Sequence, residues 1–178
     1  MIATLDVISD GRFILFYDYG WRRTEFESYG FDFESSDDER AAKMEEGLSV
    51  IKGMLTEERF SFEGRYYTVK DALSAPKPIQ RPVPPIWMGE ANNAVIVRAI
   101  AKHADVFNSM PASVDGFRQK LETVESACDA TGRDFSTLGV SLETQILVCR
   151  SDGEIDRCFE AMDRLRPPER SDEESSHR

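Results

Sequence analysis

The sequence is poor in the residues that build metal centres and hydrolytic triads. Its 178 residues include only two histidines and three cysteines. His103 stands alone and His177 lies in a charged tail, so a His-rich metal site or a Ser/His/Asp triad is nearly excluded. The cysteines, Cys128, Cys149 and Cys158, are odd in number and lack the spacing of metal ligands. They predict reduced thiols in a cytoplasmic protein.

Basic residues and long apolar runs are also scarce. Lys and Arg number 22 against 33 Asp and Glu, which leaves a net charge of −11. An acidic chain without basic clusters is a poor candidate for binding nucleic acid or an anionic membrane. No apolar run approaches the roughly 20 residues that cross a bilayer. The first basic residue is Arg12, so no secretory signal is predicted.

Buried strands and amphipathic helices alternate along the chain. A continuous apolar run bounded by turn residues predicts a strand at 13–17 that is buried on both faces. Further strands are predicted at 85–88, 104–108 and 140–149. Apolar periodicity and cap residues predict helices over 3–9, 22–29, 36–55, 94–101, 117–131 and 155–165. A hairpin is predicted over 60–69, and five prolines make 75–85 an extended connector.

This order predicts an α/β fold built on a parallel sheet. The count is roughly four βα units plus the hairpin insertion, whereas a closed (β/α)₈ barrel needs eight units. Composition leaves a partial TIM barrel and a small open sheet as alternatives. The domain is predicted to end near residue 166, and the charged residues 167–178 are predicted to form a disordered acidic tail.

Four segments in register resemble the luciferase-like monooxygenase family. They are residues 4–13 (TLDVISDGRF), 62–67 (FEGRYY), 76–87 (with PKPIQRP and PPIW) and 104–108 (ADVFN). The resemblance is strongest to the branch that uses the deazaflavin coenzyme F-420, which residues 117–134 also fit. It implies a truncated TIM barrel, and an oxidoreductase or monooxygenase that uses coenzyme F-420 or FMN on a small-molecule substrate.

The resemblance further implies that cofactor contacts lie at the carboxyl ends of the strands, where barrel enzymes bind their ligands. Beyond the first strand, Gly20 and Trp21 match the family pattern, in which small residues let a flat ring approach the backbone. Phe16 and Asp18 stand where relatives commonly have small residues. Asp18 is a candidate polar contact to the ring, with a solvent-facing or capping carboxylate as the alternative.

Beyond the second strand, Gly89, Glu90, Ala91 and Asn92 are candidates for a phosphate-binding turn. Backbone amides and the helix dipole favour an anion there, although the charge of Glu90 opposes it, and a plain strand-to-helix turn is the alternative. Asn108 ends the third strand and would line the same pocket or only cap a loop. The amide side chain of Asn92 or of Asn93 is a candidate cap for the following helix.

No catalytic residue is identified, and His103 is expected to cap the end of a helix. The resemblance implies that the first three βα units of the barrel are absent, so we expect the chain alone to bind cofactor weakly. A non-catalytic barrel remnant that acts as a small binding or interaction protein is therefore the alternative function. Uncovered sheet edges also favour a homo-oligomer that buries them.

Overall fold

The computed structural model describes residues 1–20, 22–33, 36–89, 93–144 and 146–165. The chain divides into two compact units, residues 1–143 and the residues from 144 onward. The predicted domain end at 166 and the predicted tail at 167–178 lie outside the described residues.

The helices and strands of the first unit follow one another in the order that the sequence predicts. In chain order the elements are α1 (Ile2–Ile8), β1 (Leu15–Phe16), α2 (Arg23–Ser28), α3 (Asp37–Thr56), β2 (Arg59–Glu63), β3 (Thr68–Leu73), β4 (Ile86–Gly89), α4 (Ala94–His103), β5 (Val106–Ser109), α5 (Val114–Thr131) and β6 (Gly139–Leu142). The second unit contains α6 (Asp152–Leu165), which confirms the predicted last helix and starts three residues before it.

Four parallel strands form the central sheet of the first unit, in the order β1, β4, β5, β6. Each strand pairs with the next strand of the sheet along the chain. A doubly wound sheet reverses its strand order at a switch point, whereas a (β/α) barrel adds its strands in one direction. The described sheet shows the second arrangement, which favours a partial barrel over a small open sheet.

The core lies between this sheet and helices α3, α4 and α5. Ile86, Met88 and Phe107 of the sheet are buried in one cluster with Leu48 and Ile100 of the helices. Strands that present large apolar side chains to amphipathic helices bury both partners at once, and this burial is the main stabilising contribution.

A buried carboxylate fastens α1 to the proline-rich connector. Asp6 accepts hydrogen bonds from the backbone N–H of Ile79 (2.6 Å) and of Gln80 (2.9 Å), and from Nε2 of Gln80 (2.7 Å). Burial acts to raise the pKa of Asp6, but these hydrogen bonds outweigh it, so the pKa lies below 3.8. Asp6 therefore belongs to the framework of the fold.

The predicted hairpin is confirmed, and it lies against α3 as a separate two-stranded sheet. Strands β2 and β3 are antiparallel and extend past the predicted end to Leu73. Glu46 of α3 accepts hydrogen bonds from the backbone N–H groups of Arg65, Tyr66 and Tyr67 at 3.0, 2.8 and 2.7 Å. One carboxylate thus satisfies three amides of the hairpin turn and fixes the insertion to the helix layer.

Two strand predictions are wrong in detail. The first strand is not buried on both faces, because Ile14 and Phe16, which alternate with Leu15 and so share one face, are 44% and 51% exposed. The fourth strand ends at Leu142 and not at residue 149. Its partner β5 ends at Ser109, whose carbonyl accepts the backbone N–H of Glu143 at 2.8 Å, so the ladder stops there.

Candidate functional site

Successive residues of a strand face opposite sides of a sheet, so the central sheet has two chemically different faces. The helix side carries the buried residues Ile86, Met88 and Phe107. Residues that alternate with these form the other side, which we call the open face; they are Phe16, Trp87, Gly89, Val106, Asn108 and Ser141. The open face corresponds to the side that lines the interior of a closed barrel.

The carboxyl ends of the strands bring predicted site residues together. In the strand register Gly89 is beside Asn108, and Asn108 is beside Ser141. The backbone N–H of Tyr17 donates to the carbonyl of Trp87 at 2.9 Å, which continues the β1 pairing and puts Asp18 at the level of Gly89. We call Asp18, Gly89, Asn108 and Ser141 the carboxyl-end row. Sequence reasoning found three of its members and missed Ser141.

The side chain of Asn108 is oriented by its neighbour in the row. The hydroxyl of Ser141 donates to Oδ1 of Asn108 at 2.7 Å. Nδ2 of Asn108 has no hydrogen-bond partner among the residues that the structure describes. A half-buried amide fixed through its oxygen offers its nitrogen as a donor to a ligand on the open face.

Gly89 is covered by an aromatic ring of the same chain. A Cβ atom at Gly89 would lie 3.0 Å from Cζ of Phe16 and 3.5 Å from the carbonyl oxygen of Asn108. The ring of Phe16 therefore lies in the space that a side chain at residue 89 would need. Relatives were expected to have a small residue at position 16, and here the larger ring occupies space beside the row.

Asp18 and Gly20 have local roles at the end of β1. Oδ1 of Asp18 accepts the backbone N–H of the next residue, Tyr19, at 2.6 Å. Gly20 has a φ of +75°, and a Cβ there would lie 2.4 Å from Cε2 of Phe26. The open side of Gly20 thus faces Phe26 of α2, and its backbone is not part of the row.

Four of the predicted site residues, Trp21, Glu90, Ala91 and Asn92, lie outside the described residues. The helix after them is described, and Asn93 is its cap. Oδ1 of Asn93 accepts the backbone N–H of Val95 at 2.7 Å and that of Ile96 at 3.4 Å. Because the cap already satisfies two amides of α4, a phosphate at this helix end would need others.

A cavity of about 170 Å³ lies next to the row on the helix side of β1, and sequence reasoning did not identify it. It is lined by Tyr17, Asp18, Tyr19, Phe26, Asp32, Arg40, Lys43, Met44 and Tyr67. Burial and the nearby Tyr67 raise the pKa of Tyr17 to about 12. The buried guanidinium of Arg40 lies over the rings of Phe33 and Tyr19, at 4.3 and 5.5 Å from their centres. Strand alternation puts Tyr17 on the helix side, which is the signal that could have located this cavity.

His103 lies at the opposite end of the strands, in the last turn of α4 as expected, and its ring contacts a carboxylate. Its Nε2 is 3.0 Å from Oε1 of Glu45, which also accepts from Lys102 at 3.2 Å. Burial lowers the pKa of His103 below 6.5, despite the opposing effect of Glu45. His103 is far from the carboxyl-end row in the strand direction, so it is not a base for chemistry there.

Two kinds of site are absent from the part of the chain that the structure describes. No cluster of three or more His, Cys, Asp or Glu side chains there could hold a metal ion. Within the same residues, no helix is long and apolar enough to cross a membrane.

Comparison with known proteins finds a matching family and similar individual proteins. The sequence profile of the luciferase-like monooxygenase family matches residues 1–176. The FMNH₂-dependent dimethylsulfone monooxygenase of Pseudomonas putida is 31% identical over 131 residues, which are 74% of this chain and 36% of that protein. The chain thus spans well under half the length of this curated relative.

Solved structures give the same fold. EDTA monooxygenase from Chelativorans sp. BNC1 superposes with a TM-score of 0.74 at 18% identity, over 92% of this chain and 44% of the other. The coenzyme F-420-dependent tetrahydromethanopterin reductase of Methanopyrus kandleri superposes with a TM-score of 0.70 at 22% identity, over 85% and 46%. At these identities the likeness shows the fold alone, and it confirms the partial TIM barrel.

Proposed function

The chain belongs to the luciferase-like monooxygenase family, and we propose that it contributes one wall of a flavin or deazaflavin site. The proposed activity is oxidoreduction of a small molecule, by hydride transfer or by monooxygenation. One observation carries the proposal: the carboxyl-end row sets the oriented amide of Asn108 beside Gly89 on the open face. This is the end of the strands at which barrel enzymes bind ligands.

The described residues fit one side of a flat ring system. Phe16 and Trp87 offer apolar surface on the open face, and Asn108 offers a hydrogen-bond donor beside them. The ring of Phe16 already covers Gly89, so a cofactor would pack on Phe16 and not directly on the backbone of Gly89. Because the cap residue Asn93 holds the amides of Val95 and Ile96, anchoring of a phosphate would fall to other groups.

In this proposal the protein contributes orientation and the exclusion of water. A bound flavin supplies hydride transfer or the activation of oxygen, and a deazaflavin supplies hydride transfer. Ser141 keeps Oδ1 of Asn108 occupied, so Nδ2 is the atom that donates to a ring carbonyl or ring nitrogen. Phe16 and Trp87 keep water from one side of the ring. FMN and coenzyme F-420 both remain candidate cofactors, because named relatives use FMNH₂ and F-420 respectively.

A second candidate function is favoured by the ring that covers Gly89. Phe16 is 51% exposed and lies at the outer edge of the sheet, where an apolar contact with another polypeptide would bury it. The chain would then be a non-catalytic barrel remnant, and a second copy would cover the edge of β1. Light scattering of the purified chain tests this association. A cytoplasmic location and the lack of nucleic-acid binding stay predictions.

Titration of the purified chain with FMN and with coenzyme F-420 distinguishes the two candidate functions, an oxidoreductase and a non-catalytic remnant. We expect wild type to bind one of them more weakly than micromolar, since one wall is not a closed pocket. Ser141→Ala should weaken that binding about 2- to 10-fold, because Asn108 loses the hydrogen bond that orients it. Ser49→Ala removes a hydroxyl on the exposed side of α3, bonded only to the carbonyl of Glu45, and should change nothing.

Three results would count against parts of this proposal. Binding tighter than micromolar would refute the single-wall argument. No binding of either cofactor at millimolar concentration would refute the proposed activity of the chain and leave the remnant. Equal affinity of wild type and Ser141→Ala would show that the carboxyl-end row does not touch the cofactor.

A further inference from the structure

A second cavity opens at the other end of the sheet, near the amino-terminal ends of β4 and β5. Its volume is about 370 Å³. The proline-rich connector supplies an apolar wall that includes Pro82 and Val83. Lys52 of α3 and Arg81 of the connector supply positive charge at the same cavity. No step of the proposed cofactor chemistry uses these residues.

Lys52 is the unusual member of this lining. Its side chain is half-buried, yet its ammonium makes no hydrogen bond or ion pair with any residue that the structure describes. Burial lowers the pKa of Lys52, and the nearby charge of Arg133 acts in the same direction, while Asp105 opposes both. Partial burial of a cation is unfavourable unless an anion compensates it.

The neighbouring charges are mostly engaged with other groups. Oδ2 of Asp105 accepts the backbone N–H of Ile86 at 2.7 Å. Arg133 donates to the carbonyls of Ala101 and Ala104, at 3.1 and 2.7 Å. Near neutral pH His103 is uncharged, since its pKa lies below 6.5, and its Nε2 faces Glu45.

The lining contains two cations, Lys52 and Arg81, against the single carboxylate of Asp105. Nη1 of Arg81 already donates to the carbonyl of Pro78, and the charge of Arg81 also acts on Asp6. This local excess of positive charge is found in a chain whose net charge is −11. The cavity also has an apolar wall, so the ligand that fits it has a charged end and an apolar body.

We propose that this cavity binds a small organic carboxylate. Its carboxylate would lie between the ammonium of Lys52 and the guanidinium of Arg81, and its apolar body would pack on Pro82 and Val83. Hydrogen bonds between charged groups are stronger than those between neutral groups. The side chains of Arg and Lys carry only donors, so both can bind a carboxylate. The site is separate from the carboxyl-end row, so it does not depend on the proposed cofactor chemistry.

Calorimetric titration with benzoate and with benzamide tests the proposal. The two probes share shape and apolar body, but only benzoate is charged. We expect benzoate to bind the wild-type chain at least about tenfold more tightly than benzamide, as one charge-assisted hydrogen bond predicts. Lys52→Met should abolish this preference, whereas Lys70→Met, on the exposed strand β3, should leave it unchanged.

The variants are expected to fold, because Lys52→Met removes a half-buried charge that makes no hydrogen bond or ion pair with the described residues, and the melting temperature should not fall. If Lys52→Met did unfold, a measurement on wild type would still test the proposal. Benzoate should then protect Lys52 from reductive methylation, as mapped by mass spectrometry. Equal binding of benzoate and benzamide would overturn the proposal. So would a Lys52→Met variant that keeps the preference, or a wild-type chain that binds neither probe.

Discussion

The packing of the hairpin on α3 makes Gly53→Ala a sharp test of the described geometry. Gly53 is a buried helical glycine whose missing side chain makes room for Phe60 of β2. A Cβ atom at residue 53 would lie 2.0 Å from Cε2 of Phe60, and 2.4 Å from both Cδ2 and Cζ. Carbon atoms pack at about 3.5–4.0 Å, so the ring would have to withdraw by roughly 1.5 Å.

Two opposing effects set the change in the free energy of unfolding that Gly53→Ala causes. Overpacking of a buried side chain costs about 1–3 kcal/mol, and Phe60 is only 8% exposed. Replacing glycine by alanine inside a helix stabilises it by about 1 kcal/mol. Because a contact of 2.0 Å puts the clash at the upper end of its range, we expect Gly53→Ala to lower the free energy of unfolding by about 2 kcal/mol.

Urea unfolding followed by circular dichroism measures this change. Phe60→Leu provides the second half of a double-mutant cycle, because leucine lacks the ring atoms that meet residue 53. In the Phe60→Leu background Gly53→Ala should become neutral or stabilising. Gly153→Ala in α6 is the matched control, since its Cβ would meet nothing within 4 Å, and it should not destabilise. A Gly53→Ala protein as stable as wild type would refute the described packing.

Three further predictions concern single polar groups. The pKa of Asp6 is lowered in the folded chain, so its contribution to stability is complete above about pH 4 and is lost as the pH falls through the lowered pKa; the difference in melting temperature between wild type and Asp6→Asn should shrink over that acid range. Glu46→Gln leaves one acceptor oxygen for three amides, so hydrogen exchange at residues 65–67 should speed up and stability should fall by about 1–3 kcal/mol; Glu63→Gln, an exposed change on β2, is the control. The pKa of Tyr17 is raised from 10.0 to about 12, so its contribution is complete below pH 10 and is lost toward pH 12; Tyr17→Phe should flatten the alkaline loss of stability, and an unchanged slope would contradict the burial of Tyr17.

The features that sequence reasoning predicted well are those with a local cause. The alternation of apolar residues and the caps located nearly all of the helices and strands, and Asn93, one of the two predicted caps, does cap α4. Parallel strands align their carboxyl ends, so the order of the strands along the chain was enough to group Asp18, Gly89 and Asn108. Ser141 was missed because its strand was predicted too long, which left its position relative to Asn108 undefined.

The errors have non-local causes. An apolar run such as 13–17 predicts burial on both faces, but that needs a packed layer on each face, and on the face opposite the helices Phe16 is 51% exposed. The segment 140–149 has apolar residues at both ends, yet a strand extends only as far as its partner, and β5 stops at Ser109. Likewise, a glycine pattern does not reveal which ring will fill the space, and here Phe16 and Phe26 fill the spaces at Gly89 and Gly20.

The two ends of the central sheet differ in the chemistry they offer, and this makes the two proposals separable. At the carboxyl ends, Asn108 and Ser141 present uncharged polar atoms beside apolar rings, which suits a neutral flat ring more than an anion. At the amino ends, Lys52 has a partly desolvated charge with no hydrogen bond or ion pair among the described residues, although Asp105 lies near, and this suits an anion. Ser141→Ala should therefore change binding of a flavin and leave benzoate binding unchanged, while Lys52→Met should do the reverse. A variant at one end that altered binding at both would mean that the sheet transmits a structural change, and neither site could then be interpreted alone.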